Sequence, residues 1–397
     1  MRVAATILIW SVLVAGCSLA SDDPIGDPPA STSTTASGST TQTTTPPTTP
    51  PTTDPATVDD VTEPDLTFPD VVTVPYLPMA VGNDTLVTYA SQELVTHTTA
   101  GSTVTDIAVV APGIGDFFDV SALLWWKGRF WAFLVGDVST ELGVGSALTS
   151  EDGLTWDRVD IGSTDRGARL PGALATPDVP QYEGSTGIQH AAADTDTLAV
   201  SGWTRTDAGV QPLVWVTRDG ETWSVDAPPA TAERAMAVRV TPGDDEVLVH
   251  VLGPFYFGQD LAIITPSGAV DASLVGDQYV IDVVRSDNGY VMSSSAFGGP
   301  PTALWEWDGR AWTNIAEPDI APMADDGAGI RPYLLAGSTS GAVASGLDRV
   351  SIRRDGSWHG LGSVRGSIVS LSVDGDDAVV VSVAGTDTFL TIVPLGR

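Results

Sequence analysis

The 397-residue chain is poor in several residue types, and each shortage excludes something. It has one cysteine, Cys17, so no internal disulfide can form. Its four histidines, His97, His190, His250 and His359, stand far apart with no paired spacing, which argues against a zinc site. No Gly-x-Ser-x-Gly, phosphate loop or dinucleotide fingerprint occurs. No catalytic set, metal-ligand set or cofactor is therefore assigned. Basic residues are scarce: 18 Lys and Arg stand against 50 Asp and Glu, for a formal charge of −32, and Lys127 is the only lysine. Such a field argues against nucleic acid and against electrostatic docking on anionic lipid. The acidic clusters Asp244-Asp245, Asp325-Asp326 and Asp374-Gly-Asp-Asp lack the spaced oxygen ligands of a calcium loop. A structural calcium stays an open alternative. Helical periodicity is missing from the apolar runs between the turns of the C-terminal domain.

Long apolar runs are missing as well. The stretch from Val3 to Ala15 spans about 13 residues, short of the ~20 that a membrane-spanning helix needs. It follows Met1-Arg2 and ends Leu13-Val14-Ala15-Gly16-Cys17, which reads as a signal peptide over residues 1–16. An aliphatic residue, two small residues and a cysteine in that order resemble the lipobox of bacterial lipoproteins. The resemblance implies cleavage before Cys17, lipid on its thiol, and a place on the extracytoplasmic side of the cell membrane. Acylation with two or three chains exceeds the single chain that anchors only marginally.

From residue 17 to 63 the composition collapses to Ser, Thr, Pro, Asp and Gly. Such a segment buries too little apolar surface to offset its ordering entropy, so it reads as a disordered tether. Fully extended in polyproline II at ~3.1 Å per residue, about 45 residues would reach ~140 Å. The remaining span, 64–397, reads as one all-β domain.

Within it a short pattern recurs: a β-prone run, Asp-Gly, then Trp. The copies are Asp152-Gly153-Leu-Thr-Trp156, Asp219-Gly220-Glu-Thr-Trp223, Asp308-Gly309-Arg-Ala-Trp312 and Asp355-Gly356-Ser-Trp358. Simpler turns lie at Gly101 and Gly268. A second turn series precedes the first, at Asn83-Asp84, Lys127-Gly128, Asp194-Thr-Asp196, Gly243-Asp244, Asn288-Gly289, Ser340-Gly341 and Gly375-Asp376. Two hairpins per repeat mean four strands, and a four-stranded unit every 40 to 50 residues is the signature of a β-propeller blade. Six full units fit between residues 76 and 364. The last, 367–397, has room for three strands, and the unused run 66–74 could supply its fourth. The expectation is seven four-stranded blades, with six or eight as alternatives.

The Asp-Gly-x-x-Trp turns resemble the Asp-box, or BNR, repeats of sialidase-like propellers. In such a turn the Asp carboxylate accepts backbone N–H bonds, Gly takes positive φ, and Trp wedges between blades. The copies at Asp308 and Asp355 lack part of the pattern.

Both turn series fall on one face. The opposite face carries the connections between blades, the longest being 163–185 with Arg166, Arg169 and Tyr182. Tyr256 lies on another connection of that face. The starts of the inner strands are expected to bring His190, Arg234, Asp282, Arg331 and Tyr333 toward the central axis. A sialidase needs three arginines, a tyrosine nucleophile with a glutamate partner, and an acid. Arg234, Arg331, Tyr333, Glu233 and Asp119 offer those types. The Arg-Ile-Pro motif is absent, however, and Arg331-Pro332 lies in a late blade. The reading is thus a non-catalytic, monomeric binding or assembly module for a protein or surface glycan on the inter-blade face. The alternative is a sialidase-like glycoside hydrolase of exo-sialidase type.

Overall fold

The computed structural model describes residues 61–396, apart from 72, 74–77, 112–117, 137–145, 162–185, 207–208, 227–236, 244, 253–258, 266, 274–277, 297–302 and 321–332. Seven antiparallel units form the seven blades of a β-propeller. Blade one comprises Met79–Gly82, Thr85–Ala90, Glu93–Thr98 and Gly101–Asp106. Blade two comprises Phe118–Trp126, Arg129–Gly136, Ser146–Ser150 and Asp157–Asp160. Blade three runs through Thr186–Ala193, Leu198–Thr206, Gly209–Thr217 and Trp223–Asp226. Blade four runs through Ala237–Pro242, Val247–Leu252, Gln259–Thr265 and Gly268–Asp271. Blade five holds Gln278–Ser286, Gly289–Ala296, Ala303–Trp307 and Trp312–Ile315. Blade six holds Leu334–Ser338, Gly341–Ser345, Arg349–Arg354 and Ser357–Val364. Blade seven has Ser367–Asp374, Asp377–Ala384 and Asp387–Pro394.

The chain closes the ring from its N-terminal side. Leu66–Phe68 pairs antiparallel with Thr388–Leu390 and becomes the outer strand of blade seven. Phe68, 1% exposed, seats in a core with Val71, Val369, Val381 and Leu390. The sequence leaves that blade one strand short, and the segment it points to fills the gap. One detail differs from the expected boundary at residue 64. Val61–Thr62 already forms a strand, parallel to Ser363–Val364, and makes blade six five-stranded. Two residues among Asp and Thr have too little pattern to announce a strand, and the pairing depends on an edge about 300 residues away in sequence.

The core is a ring of inter-blade seams. Blades one and two share Val87, Tyr89, Leu94, Phe130, Leu148 and Trp156. Blades two and three share Trp126, Trp131, Phe133, Leu213, Trp215 and Trp223. Large aromatic side chains fill these two seams, whereas the seam between blades three and four is packed by Val214, Val216, Val240, Val249 and Ile264. In blades two, three, five and seven the register of the innermost pair slips by one residue, at Ser121, Gln189, Ile281 and Val369. These bulges kink the inner strands and re-aim the side chains that follow.

Candidate functional site

The boxed face is built from its turns upward. The Asp152 Oδ1 accepts the backbone N–H groups of Leu154 and Thr155 at 2.8 Å each, and Gly153 N–H donates to Ser150 Oγ at 2.8 Å. The Asp219 turn repeats this: Glu221 and Thr222 N–H donate to its Oδ1 at 2.8 and 2.7 Å, and Gly220 N–H donates to Thr217 Oγ1 at 2.9 Å. These N–H donors hold the Asp219 carboxyl down at about 2, Thr222 N–H foremost. Gly153 and Gly220 take φ of +73° and +80°, and each packs against the preceding blade, on Thr96 and Val87 or on Trp131. Around Asp308, Arg310 and Ala311 N–H donate at 2.9 and 3.0 Å, but a Cβ on Gly309 would meet nothing within 4 Å. Asp355 differs in kind. It and Gly356 have φ of +50° and +76° and form a two-residue hairpin between the paired residues Arg354 and Ser357.

All four tryptophans reach back toward the preceding blade. Trp156 and Trp223 are 6% and 1% exposed within the seams. Trp312 Nε1 donates to Ala272 O at 2.6 Å, and Trp358 Nε1 to Ala316 O at 2.8 Å. The seam between blades five and six also carries a bidentate pair that the sequence does not advertise. Arg353 Nε and Nη2 donate to Glu306 at 3.0 and 2.8 Å, with Arg353 nearly buried. Where the Asp308 turn stands off, a cleft of about 440 Å³ opens, lined by Glu246, Arg285, Asp287, Trp307 and Asp308. Arg285 pairs there with Glu246 at 3.5 Å and lies over the Tyr290 ring.

The seven inner strands enclose a central channel of about 330 Å³. Each blade contributes to its wall: Val81, Trp125, His190, Thr241, Asp282, Gly337 and Ser370. The structure thus brings His190 and Asp282 to the axis, both just after a bulge. Neighbouring inner strands are tied by Thr241 Oγ1 donating to Val283 O at 2.8 Å and by Val240 N–H donating to His190 Nδ1 at 3.4 Å.

Tyr333 is a correction. The sequence places it toward the axis, but the structure buries it in the seam between blades five and six, with Val284, Leu304, Ile320 and Leu335. At the first residue before its strand the phenol turns into the wedge, where apolar area is removed from water. Its hydroxyl donates to Glu317 Oε2 at 3.0 Å. Burial and then the Glu317 carboxylate push the phenol up to about 12. Asp119 lies beside Tyr89 and raises that phenol, after burial. Its own Oδ1 accepts Val120 N–H at 2.8 Å.

Cys17, Arg166, Arg169, Tyr182, Arg234, Tyr256 and Arg331 lie outside the described residues. Among the described residues no group of three His, Cys, Asp or Glu side chains could hold a metal ion.

Neither protein-family models nor curated proteins match the sequence. Solved structures do match the fold. The chain is similar to YCF48 bound to D1 peptide, at 13% identity and a TM-score of 0.44, over 84% of this chain and 99% of that one. It is similar to the Dos1 propeller, at 12% identity and a TM-score of 0.45, over 84% and 96%. It is also similar to a GH74 xyloglucanase from Xanthomonas campestris, at 15% identity and a TM-score of 0.41, over 77% of this chain and 50% of that one. At these identities and TM-scores the likeness adds no argument of its own; the seven blades rest on the strand pairing itself.

Proposed function

We propose that this chain is a lipid-anchored extracytoplasmic propeller that binds a protein or surface glycan through its inter-blade face, without chemistry. One observation carries the reading: the two faces differ sharply in the chain they spend on connections. On the boxed face the links are two-residue turns such as 83–84, 127–128 and 339–340, or the boxes 151–156 and 218–222. On the opposite face the links include 137–145, 161–185, 227–236 and 316–333. Long connections in a compact domain usually serve function, and a rigid ring is a good scaffold for them. The tether and the lipid on Cys17 would hold the ring near a membrane while leaving that face free.

The test replaces residues 165–183 by a short Gly/Ser linker. The link joins two blades and belongs to neither, so the melting curve should stay unchanged while capture of a partner from cell-envelope extract is lost. Retained capture would move the binding surface elsewhere. Turnover of a sialoside, lost on Arg331→Ala, would replace the reading by the hydrolase alternative.

A further inference from the structure

A propeller has an outer strand on every blade, and each is an edge with unpaired backbone groups. Natural sheets protect such edges by keeping them short, charging them or covering them. Five of the seven blades here follow that practice in part or whole. The outer strands of blades two to five have four residues each, Asp157–Asp160, Trp223–Asp226, Gly268–Asp271 and Trp312–Ile315. That of blade seven has three, Leu66–Phe68. Two outer strands are longer. Ser357–Val364 of blade six, with eight residues, is covered at its end by Val61–Thr62. Gly101–Asp106 of blade one, with six, is the last strand of its sheet.

Among the described residues no strand covers it; it reads Gly-Ser-Thr-Val-Thr-Asp, with no charge before its final residue and Val104 54% exposed. Its register fixes which backbone groups face outward. Thr98 and Gly101 flank a two-residue turn and form a hydrogen-bonded pair, so bonding alternates along the ladder to Thr96–Thr103 and Leu94–Thr105. The intervening pairs, His97–Ser102 and Val95–Val104, leave the N–H and C=O of Ser102 and Val104 pointing away from the sheet.

We infer that the outer edge of blade one, Gly101–Asp106, is a β-augmentation site that receives an extended, neutral-to-basic peptide segment of a partner protein as a fifth strand. Blade six shows that this ring accepts a fifth strand on an outer edge. Charge selects the partner. Blade one carries Asp84, Glu93 and Asp106 and no Arg or Lys between residues 79 and 111, within a chain of formal charge −32. A second copy of so acidic a chain is repelled, whereas a strand bearing lysine or arginine is attracted. Backbone bonds would supply affinity and the side chain of Val104 a shallow apolar contact.

The probe is a labelled decapeptide of alternating Thr and Val with Lys at both ends, and a twin with Glu at both ends, titrated into the full chain by fluorescence anisotropy. The Lys peptide should bind, and both the Glu twin and the Val104→Pro variant should weaken binding by about tenfold or more. Proline at 104 deletes an outward N–H and spares the ladder to Val95, so melting should hold. Hydrogen exchange on the wild-type chain gives a second readout, since the Lys peptide should slow the amides of Ser102 and Val104. Absence of binding, or binding with neither of those amides protected, would overturn the proposal. Concentration-dependent self-association of the chain that Val104→Pro abolishes would overturn it too, by giving the edge to a second copy.

Discussion

Trp223 and Asp219 sit four residues apart in one turn, yet the forces on them differ. The Trp223 ring lies in the seam with Trp131, centroids 6.0 Å apart and edge to face, and among the described residues its indole N–H has no partner. Its contribution is therefore apolar. Trp223→Ala should cost about 3–5 kcal/mol, and Trp223→Phe, which removes the unpartnered N–H with little loss of ring contact, under about 2 kcal/mol. Chemical denaturation of the two variants checks this; equal losses would assign a hidden bond to the indole. Asp219 is exposed and acts through backbone N–H groups, so Asp219→Ala should cost less than Trp223→Ala. A second residue makes a pH prediction. His97 Nε2 lies 3.0 Å from Thr88 Oγ1 and Nδ1 2.8 Å from Ser102 Oγ, and burial lowers its pKa from 6.5. The folded state then holds the ring neutral while the unfolded chain protonates it near pH 6.5. The unfolded state binds more protons below that value, so stability present at pH 7 is lost as pH falls from about 6.5 toward the folded value. His97→Gln should flatten that part of the stability profile, read by urea denaturation at pH 7.5 and 5.5. The Asp, Gly and Trp of a box are legible in sequence because the turn that uses them is local. The partner of Tyr333 is not legible, since Glu317 reaches it only through the packing of two blades.

Closure of the ring is settled at the level of single strands. The need for a strand near residues 66–74 is legible, because two turn series at one period leave the last blade incomplete. The strand that fills it is shorter, Leu66–Phe68, and the strap extends upstream to Val61–Thr62, where no alternating pattern exists to be read. One short segment thus binds the edges of two neighbouring blades. Backbone pairs alone would make a weak clasp, but Phe68 adds a fully buried ring in the last seam. Phe68→Ala should therefore cost about 3–5 kcal/mol, while removal of residues 61–62 alone should cost little. Deleting residues 64–75 should uncover the outer edge of Asp387–Pro394, with loss of a single cooperative transition or aggregation on heating. Calorimetry distinguishes these cases. A deletion variant that melts like the parent would mean that the ring closes without the strap. Blades one to six, whose contacts lie mostly between consecutive strands, are legible from turn spacing for the same reason that the strap is only half legible: sequence patterns report neighbours, and closure joins the two ends of the domain.

At the scale of the whole molecule, architecture and address rest on different parts of the chain. The ring explains itself from residue 61 onward, through seams filled by tryptophan and aliphatic side chains. The chain's formal charge of −32 opposes an anionic lipid surface. Under the proposed lipidation, acyl chains on Cys17 would hold the chain at a membrane without electrostatic help. Each buried methylene contributes about 0.8 kcal/mol, so two or three such chains would anchor firmly. Cys17→Ser should then shift the protein from the membrane pellet to the soluble fraction as a whole, with no intermediate population. The native form should leave the pellet with detergent and stay there in high salt, which screens charge but leaves apolar burial in place. Partition of the variant unchanged from the parent would refute lipidation at Cys17. Release of the parent by salt alone would replace the lipid anchor with a charged protein partner at the membrane, and the neutral-to-basic edge strand proposed for blade one would then be the first contact to test by combining Cys17→Ser with Val104→Pro.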